Sequence, residues 1–352
     1  MTGSEKFRMT AAAAFAAAML MVSASCGGEP QVTETAATEA TTPPETTTTA
    51  ATTIAPIVTT TTSTTPPPLP IMEQYQELFD DHHGFQKDKD GNDTSEEAGM
   101  IGWIHIDIPG ETAIDEPVMQ TSDNKYYLTH DFENKEVVEG ALFADYQCKF
   151  TTRTRPANTI IYGHNMASGK SFAKITRYCP WYTASQGLKQ YNAAPTIKFD
   201  TLWEEGTYKV FAAIFVNTQV KNGEVFQYYK RRTIANEGQF YNYIGHVMDR
   251  SLFYTGVDLQ YGDELLTLST CYYPLGKENA DTRFVVFARR LRPGESAEVD
   301  TSKAYVNPDP LYFDYWYQTH GTSWGGRKWD TSLVKGFDEY YKKHETTKPT
   351  ED

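Results

Sequence analysis

Glu264-Leu265-Leu266-Thr267-Leu268-Ser269-Thr270-Cys271 is a run of leucine, threonine and serine that ends on a thiol. Its composition reads as a half-buried β-strand, which places Cys271 where a strand gives way to a loop. Two further strand-like runs carry chemistry at their ends. Asn158-Thr159-Ile160-Ile161-Tyr162-Gly163 leads into His164, and Arg283 opens Arg283-Phe284-Val285-Val286-Phe287-Ala288. A thiol, an imidazole and a guanidinium at three strand ends point to convergence on one edge of a β-barrel.

Working outward, short apolar runs separated by polar turns predict strands at Trp103–Ile106, Pro117–Gln120, Ala141–Tyr146, Asn158–Tyr162, Thr196–Leu202, Tyr208–Thr218, Leu265–Thr270 and Arg283–Arg290. Eight strands of this kind predict a mainly β fold, a closed or nearly closed eight-stranded barrel. Ile71, Met72, Tyr75, Leu78 and Phe79 recur at helical spacing and predict an amphipathic helix before the barrel. Helical patterns also occupy Lys170–Arg177 and Ile234–Arg250. The longer lies between the sixth and seventh strands and is expected to overhang the edge that holds Cys271. Asp88-Lys89-Asp90-Gly91-Asn92-Asp93 has its glycine at the fourth position and no glutamate at the twelfth, so it is a polar turn and not a calcium loop. Between Ile71 and Pro293 there is no internal repeat and no domain break.

The termini differ in kind. Lys6 and Arg8 precede an apolar run, Met9 to Val22, too short to span a bilayer and typical of an export signal at 1–26. The run ends Ser23-Ala24-Ser25-Cys26, so lipidation of Cys26, ordinary cleavage and an uncleaved anchor all fit, and each exports the chain. Residues 27–70 are Thr/Pro-rich and predict a disordered spacer that holds the barrel away from the membrane. Beyond Pro293, residues 294–352 carry Tyr305, Tyr312, Phe313, Trp316, Trp324 and Trp329, too much apolar area for a free tail. Part of that extension is expected to pack on the barrel, with a disordered end.

Of the 352 residues, 32 are basic and 46 acidic, for a net charge of −14, and no basic block exceeds Lys230-Arg231-Arg232. A nucleic-acid surface is excluded by phosphate repulsion. Four cysteines without CxxC or Cys/His spacing exclude a disulfide scaffold and a zinc site, and nothing implies a cofactor or metal. Cys148 and Cys179 pair only in an oxidising compartment; as separate thiols they need bear no relation to one another.

A lone cysteine is more often a small buried hydrophobe than a nucleophile. Cys271 becomes a nucleophile when a cation stabilises its thiolate. His130, with Asp131 beside it, rivals His164 as the partner imidazole. Gly163 and Asn165 mark His164 as standing at a strand end, where a side chain projects into a cleft. Arg283 shares a strand face with Val285 and Phe287, where a charge is costly unless paired or used, and its planar donor fork suits a developing oxyanion.

Together, Tyr162-Gly163-His164-Asn165, Thr267-Leu268-Ser269-Thr270-Cys271 and Arg283-Phe284-Val285-Val286 resemble the sortases, Gram-positive cysteine transpeptidases. The resemblance covers about Ile71 to Pro293, taken as a catalytic domain at 71–293. The N-terminal helix, Gly102-Trp103-Ile104, Asp123-Asn124-Lys125-Tyr126-Tyr127-Leu128 and the long helix near Ile234–Arg250 look like class B. The resemblance implies an eight-stranded sortase barrel with Cys271 as nucleophile, His164 as general acid/base and Arg283 as oxyanion stabiliser. It also implies a substrate groove lined by Asn124, Leu128, Tyr162, Ser269 and Thr270. Tyr272 stands where some class B members carry an acidic residue. The implied partners are secreted proteins with a C-terminal sorting motif and an amine from a peptidoglycan precursor or a pilin lysine, at the outer face of the membrane. A hydrolase using water as acceptor and an idle surface-binding module are the other readings.

Overall fold

The computed structural model describes residues 67–87, 90–181 and 188–345. The expected signal at 1–26, Cys26 and the spacer up to residue 66 lie outside the described residues, as does the chain from residue 346.

Helix α1 spans Glu73–His82 and is followed by β1 (Gly84–Lys87), β2 (Asp93–Ile106), β3 (Ile114–Thr121), β4 (Leu142–Ala144) and β5 (Asn158–Tyr162). A short helix α2 (Lys189–Ala193) precedes β6 (Thr196–Thr201) and β7 (Thr207–Asn217); α3 (Glu237–Arg250) then leads to β8 (Phe253–Tyr254), β9 (Leu259–Gln260), β10 (Leu265–Cys271) and β11 (Thr282–Arg290). After Pro293 come β12 (Tyr305–Val306), α4 (Asp314–His320), β13 (Val334–Lys335) and α5 (Phe337–Glu345).

All eight expected strands are present in one sheet of order β1-β2-β3-β4-β5-β10-β11-β7-β6, and β2 also pairs with β6, which closes strands β2 to β6 into a ring. Closure depends on Gly102 of β2, because a Cβ there would collide with the Asp200 carbonyl oxygen of β6. Strand β10 ends at Cys271, its last paired residue, opposite Arg283 of β11, so the thiol stands where the strand gives way to a loop. One expectation is corrected. The Lys170–Arg177 segment is a 3-10 helix over Phe172–Tyr178. Strand β1 and the polar first half of β2 form a hairpin that the sequence pattern did not announce.

Alternation along the strands separates two cores. One face of β10 and β11 gives Leu266, Leu268, Phe284, Val286 and Ala288 to the barrel interior. The other gives Leu265, Val285 and Phe287 to a second core beneath α3, shared with Phe211, Phe240, Ile244 and Val247. Burying each such side chain contributes roughly 1.5–3 kcal/mol. Asn236 caps α3 by accepting the Gln239 backbone N–H at 2.9 Å. The segment after β11 adds Trp329, Val334 and Phe337 to this same core. Strand β12 pairs with β8, and β13 with β9.

Candidate active site

Strands β5 and β10 are parallel neighbours with Tyr162 beside Ser269, while β10 and β11 are antiparallel with Cys271 facing Arg283. Cys271 and Ser269 lie two residues apart and therefore share the outward face of the sheet with Leu265 and Thr267. The end of β5 is tied to the end of β10 on both sides of His164. The Gly163 N–H donates to Ser269 O at 3.2 Å, the Thr270 hydroxyl donates to Gly163 O at 2.8 Å, and the Asn165 side chain donates to Cys271 O at 2.7 Å. His164 is thereby carried beside the strand that ends in the thiol.

The imidazole is oriented by a backbone contact. His164 Nε2 lies 2.8 Å from the Leu128 carbonyl oxygen, which can only accept, so Nε2 carries the proton. Any proton that His164 exchanges then passes through Nδ1. The rival His130 has its Nδ1 on Tyr126 O at 3.0 Å and its ring stacked on Tyr126, 4.1 Å between centroids. It is used in local packing.

Arg283 donates to the Asp281 carboxylate at 2.6 Å and to Thr282 O at 3.0 Å. Burial works against its charge, but the Cys271 sulfur and Asp281 outweigh that and hold the guanidinium protonated well above its ordinary range. Tyr228, from the loop before α3, reaches over the same face. Its hydroxyl pairs with the Ser269 hydroxyl at 2.7 Å, and burial pushes its phenol up to about 12. Tyr228 thus stands on the face of β10 that carries Cys271, in the same core as α3.

Asn124 and Tyr162 are joined by a buried carboxylate. Asp145, 2% exposed, accepts from Asn124 Nδ2 at 3.1 Å and from the Tyr162 hydroxyl at 2.9 Å, and pairs with Arg232 at 3.5 Å. Burial raises the Tyr162 phenol well above its ordinary value, so it stays a donor. Of the five expected groove residues, Asn124, Leu128, Tyr162 and Ser269 gather around this network and His164. Thr270 projects from the opposite pleat, its hydroxyl held by Gly163. Asp145, Tyr228, Asp281 and Asn165 were missed as site residues. One signal was available: an aspartate closing the apolar run Ala141-Leu142-Phe143-Ala144.

The described cysteines form no disulfide with one another. Burial pushes the Cys148 thiol up to about 12, far from thiolate chemistry at neutral pH.

Residues 106–291 match the sortase domain family. The chain belongs to the sortase family. Similar curated proteins are sortase B of Listeria monocytogenes, 31% identical over 173 residues, and sortase B of Staphylococcus aureus, 26% identical over 174 residues. The matched part is 49% of this chain and covers 62% and 63% of those relatives, under two thirds of their length. Among solved structures, sortase B from L. monocytogenes aligns over 54% of this chain and 94% of its own at 28% identity and a TM-score of 0.44. A substrate complex of S. aureus sortase B aligns over 55% and 80% at 25% identity and a TM-score of 0.45. These relatives are of class B, the class that the sequence resembles.

Proposed function

We propose that this sortase is a cysteine transpeptidase at the outer face of the membrane. It acts on secreted proteins that carry a threonine-containing sorting motif near their C-terminus. The Cys271 thiolate attacks the threonine carbonyl carbon, a C–S bond forms, and the carbonyl π pair moves onto oxygen. Arg283 stabilises that oxyanion. Collapse breaks the C–N bond as His164, protonated at Nδ1 by the Cys271 thiol when the thiolate formed, gives that proton to the departing amine, leaving a thioester. An acceptor amine then attacks the thioester carbon and passes a proton to His164, and the sulfur leaves with its electron pair as thiolate.

The observation that carries this reading is the register pairing of Cys271 with Arg283, with His164 tied in beside them through Asn165 and Thr270. A nucleophile, a cation for the oxyanion and a proton carrier thus stand at neighbouring strand ends. The groove reading rests on Asn124, Tyr162 and Ser269, which the Asp145 and Tyr228 bonds hold on one side of the site. Export rests on the basic-flanked apolar run Met9 to Val22; among the described residues no helix is long and apolar enough to cross a membrane.

The test is cleavage of a library of threonine-containing peptides by the full chain, with and without an added amine, and with Cys271→Ala as control. Amine-dependent ligation lost in Cys271→Ala is the expected result. Cleavage unaffected by amine would make the protein a hydrolase, and no cleavage of any peptide would remove the proposal.

A further inference from the structure

The segment after Pro293 returns to the strand ends that carry the thiol and the guanidinium. Asn307 donates through its N–H to Leu252 O at 3.0 Å and through its side chain to Ser251 O at 2.7 Å. The Leu311 N–H donates to Asp249 O at 2.8 Å. These bonds fasten the chain to the end of α3 and lead it into α4. There the rings of Tyr312 and Trp316 lie 4.5 Å apart, and each lies 5.0 Å from the ring of Phe215. Phe215 meets Tyr272 edge-on at 6.4 Å, and Tyr272 meets Phe284 edge-on at 5.7 Å. Aromatic pairs at such separations attract beyond the area they bury. Tyr272 follows Cys271 in the chain, and Phe284 follows Arg283.

A second line of contact ends on the guanidinium. Asp281 holds Arg283, and Thr218, just past the end of β7, holds Asp281. The Thr218 hydroxyl donates to the Asp281 carboxylate at 2.9 Å, and the Thr218 N–H donates to Asp281 O at 3.0 Å. The loop that begins there is tied down on both sides. Asn217 Nδ2 donates to Gly223 O and Glu224 O at 3.3 and 2.8 Å, and Asn222 Nδ2 donates to Asn279 O at 3.3 Å. Gly223, at a φ of 108°, leaves the space that Asp314 of α4 takes: a Cβ there would stand 2.7 Å from the Asp314 backbone nitrogen. Helix α4 therefore bears on the loop that starts at Thr218 as well as on the ring that meets Tyr272.

We propose that α4 sets the spacing of Cys271 and Arg283, with Trp316 and Thr218 as positioning residues. Trp316 acts through Phe215 on Tyr272, and Thr218 acts through Asp281 on Arg283. The inference rests on the reading of Cys271 as nucleophile and Arg283 as its cation. To that reading it adds a part of the active site that stands outside the barrel. Strand register fixes the Cβ atoms of the pair but leaves the long arginine side chain to be aimed by its neighbours. Aim matters, because a misplacement of about 1 Å from a distant substitution costs about 10²-fold in rate.

The experiment compares full-chain wild type, Trp316→Ala and Thr218→Val, each also in an Arg283→Ala background. One assay is release of the leaving peptide from threonine-containing peptides. The other is alkylation of Cys271 by iodoacetamide as a function of pH, read by peptide mass mapping. In both variants kcat should fall at least about tenfold while KM changes less than about twofold. A thiolate that loses its cation titrates higher, so the alkylation midpoint should rise by at least about half a pH unit. In the Arg283→Ala background both substitutions should change little, because no cation is left to aim. Either variant with wild-type kcat and a wild-type alkylation profile overturns the inference. So do losses that multiply in full with that of Arg283→Ala, which assign α4 to the fold. If Trp316→Ala does not fold, Trp316→Leu, which keeps apolar volume without the ring, takes its place. Alkylation needs no substrate: a wild type that releases no leaving peptide removes the transpeptidase reading, and the alkylation profiles still uphold or overturn this one.

Discussion

Cys271 and Arg283 face each other across β10 and β11 as antiparallel register partners. Residues opposite one another in such a pair project to the same side with their Cβ atoms about 5 Å apart. The guanidinium is therefore delivered to the thiol by strand register, and Asp281, two residues before it, fixes which way the fork points.

From that geometry we predict that Arg283→Lys retains the charge and loses most of the activity. Lysine is a point charge and does not reproduce a planar donor fork. Loss of oxyanion stabilisation should lower kcat by about 10²–10³. The check is leaving-peptide release under saturating substrate, with the melting temperature compared in parallel. Activity within threefold of wild type would show that Arg283 does not touch the oxyanion.

Asp145 holds Asn124 and Tyr162 without standing beside the thiol, so its removal should act on substrate binding. Asp145→Asn keeps the shape but offers one acceptor oxygen where Asn124, Tyr162, the Gln147 N–H and Arg232 now converge. We predict a rise in KM for the sorting peptide with a smaller change in kcat, and a stability loss of about 1–3 kcal/mol. Steady-state kinetics and urea unfolding together decide it. Equal loss in kcat and none in KM would contradict the assignment.

Tyr228→Phe deletes the hydroxyl that meets Ser269 under the loop before α3. One buried partner is left unsatisfied, which costs about 1–3 kcal/mol. The midpoint of urea unfolding should fall with no change in slope. Tyr228→Phe with Ser269→Ala should recover part of the loss, because both polar groups are then removed.

How much of this was legible in the sequence follows from the range over which each signal acts. The eight barrel strands were visible because their apolar runs are bounded by turn residues, and His164, Cys271 and Arg283 because they punctuate those runs. Strand β1 was not, since Gly84-Phe85-Gln86-Lys87 offers no alternation, nor was the start of β2, where Asp93-Thr94-Ser95-Glu96-Glu97 has no apolar residue yet pairs with β1. Tyr228 looks ordinary in sequence, and Asp145 shows there only as the aspartate that closes an apolar run; both acquire roles when β5 and β10 bring Tyr162 and Ser269 to them. Thr270 was grouped with Ser269 as a groove residue, and the pleat places the two on opposite faces.

Acid should expose a second electrostatic device. Glu295 is held far below the usual carboxylate range, chiefly by hydrogen bonding to Arg289 and also to Lys209, against the opposing effect of burial. A carboxyl depressed in the folded chain stabilises it fully above the unfolded value of about 4.3, and that contribution fades as pH falls toward the folded value. We predict that the melting temperature declines more steeply below about pH 4 in wild type than in Glu295→Gln, which starts lower at neutral pH. Parallel acid limbs would show that Glu295 contributes no linkage.

The segment after Pro293 is anchored on α3 through one carboxylate. Asp249 accepts the Trp329 indole N–H at 2.7 Å and both arms of Arg327 at 2.8 and 2.9 Å. Arg327 is 39% exposed, so screening by water discounts its share, whereas the Trp329 bond is buried. Asp249→Ala strands the indole N–H and opens a gap beneath Trp329 and Phe337. We predict a loss of about 2 kcal/mol, seen as a fall in melting temperature on the order of 5 °C. Because α3 packs on the outward face of β7 and β11, the variant should also become more sensitive to proteolysis after Pro293 while the barrel persists. Limited proteolysis with mass mapping reads this directly. Cleavage that begins instead within the barrel strands would show that the extension and the barrel unfold as one unit.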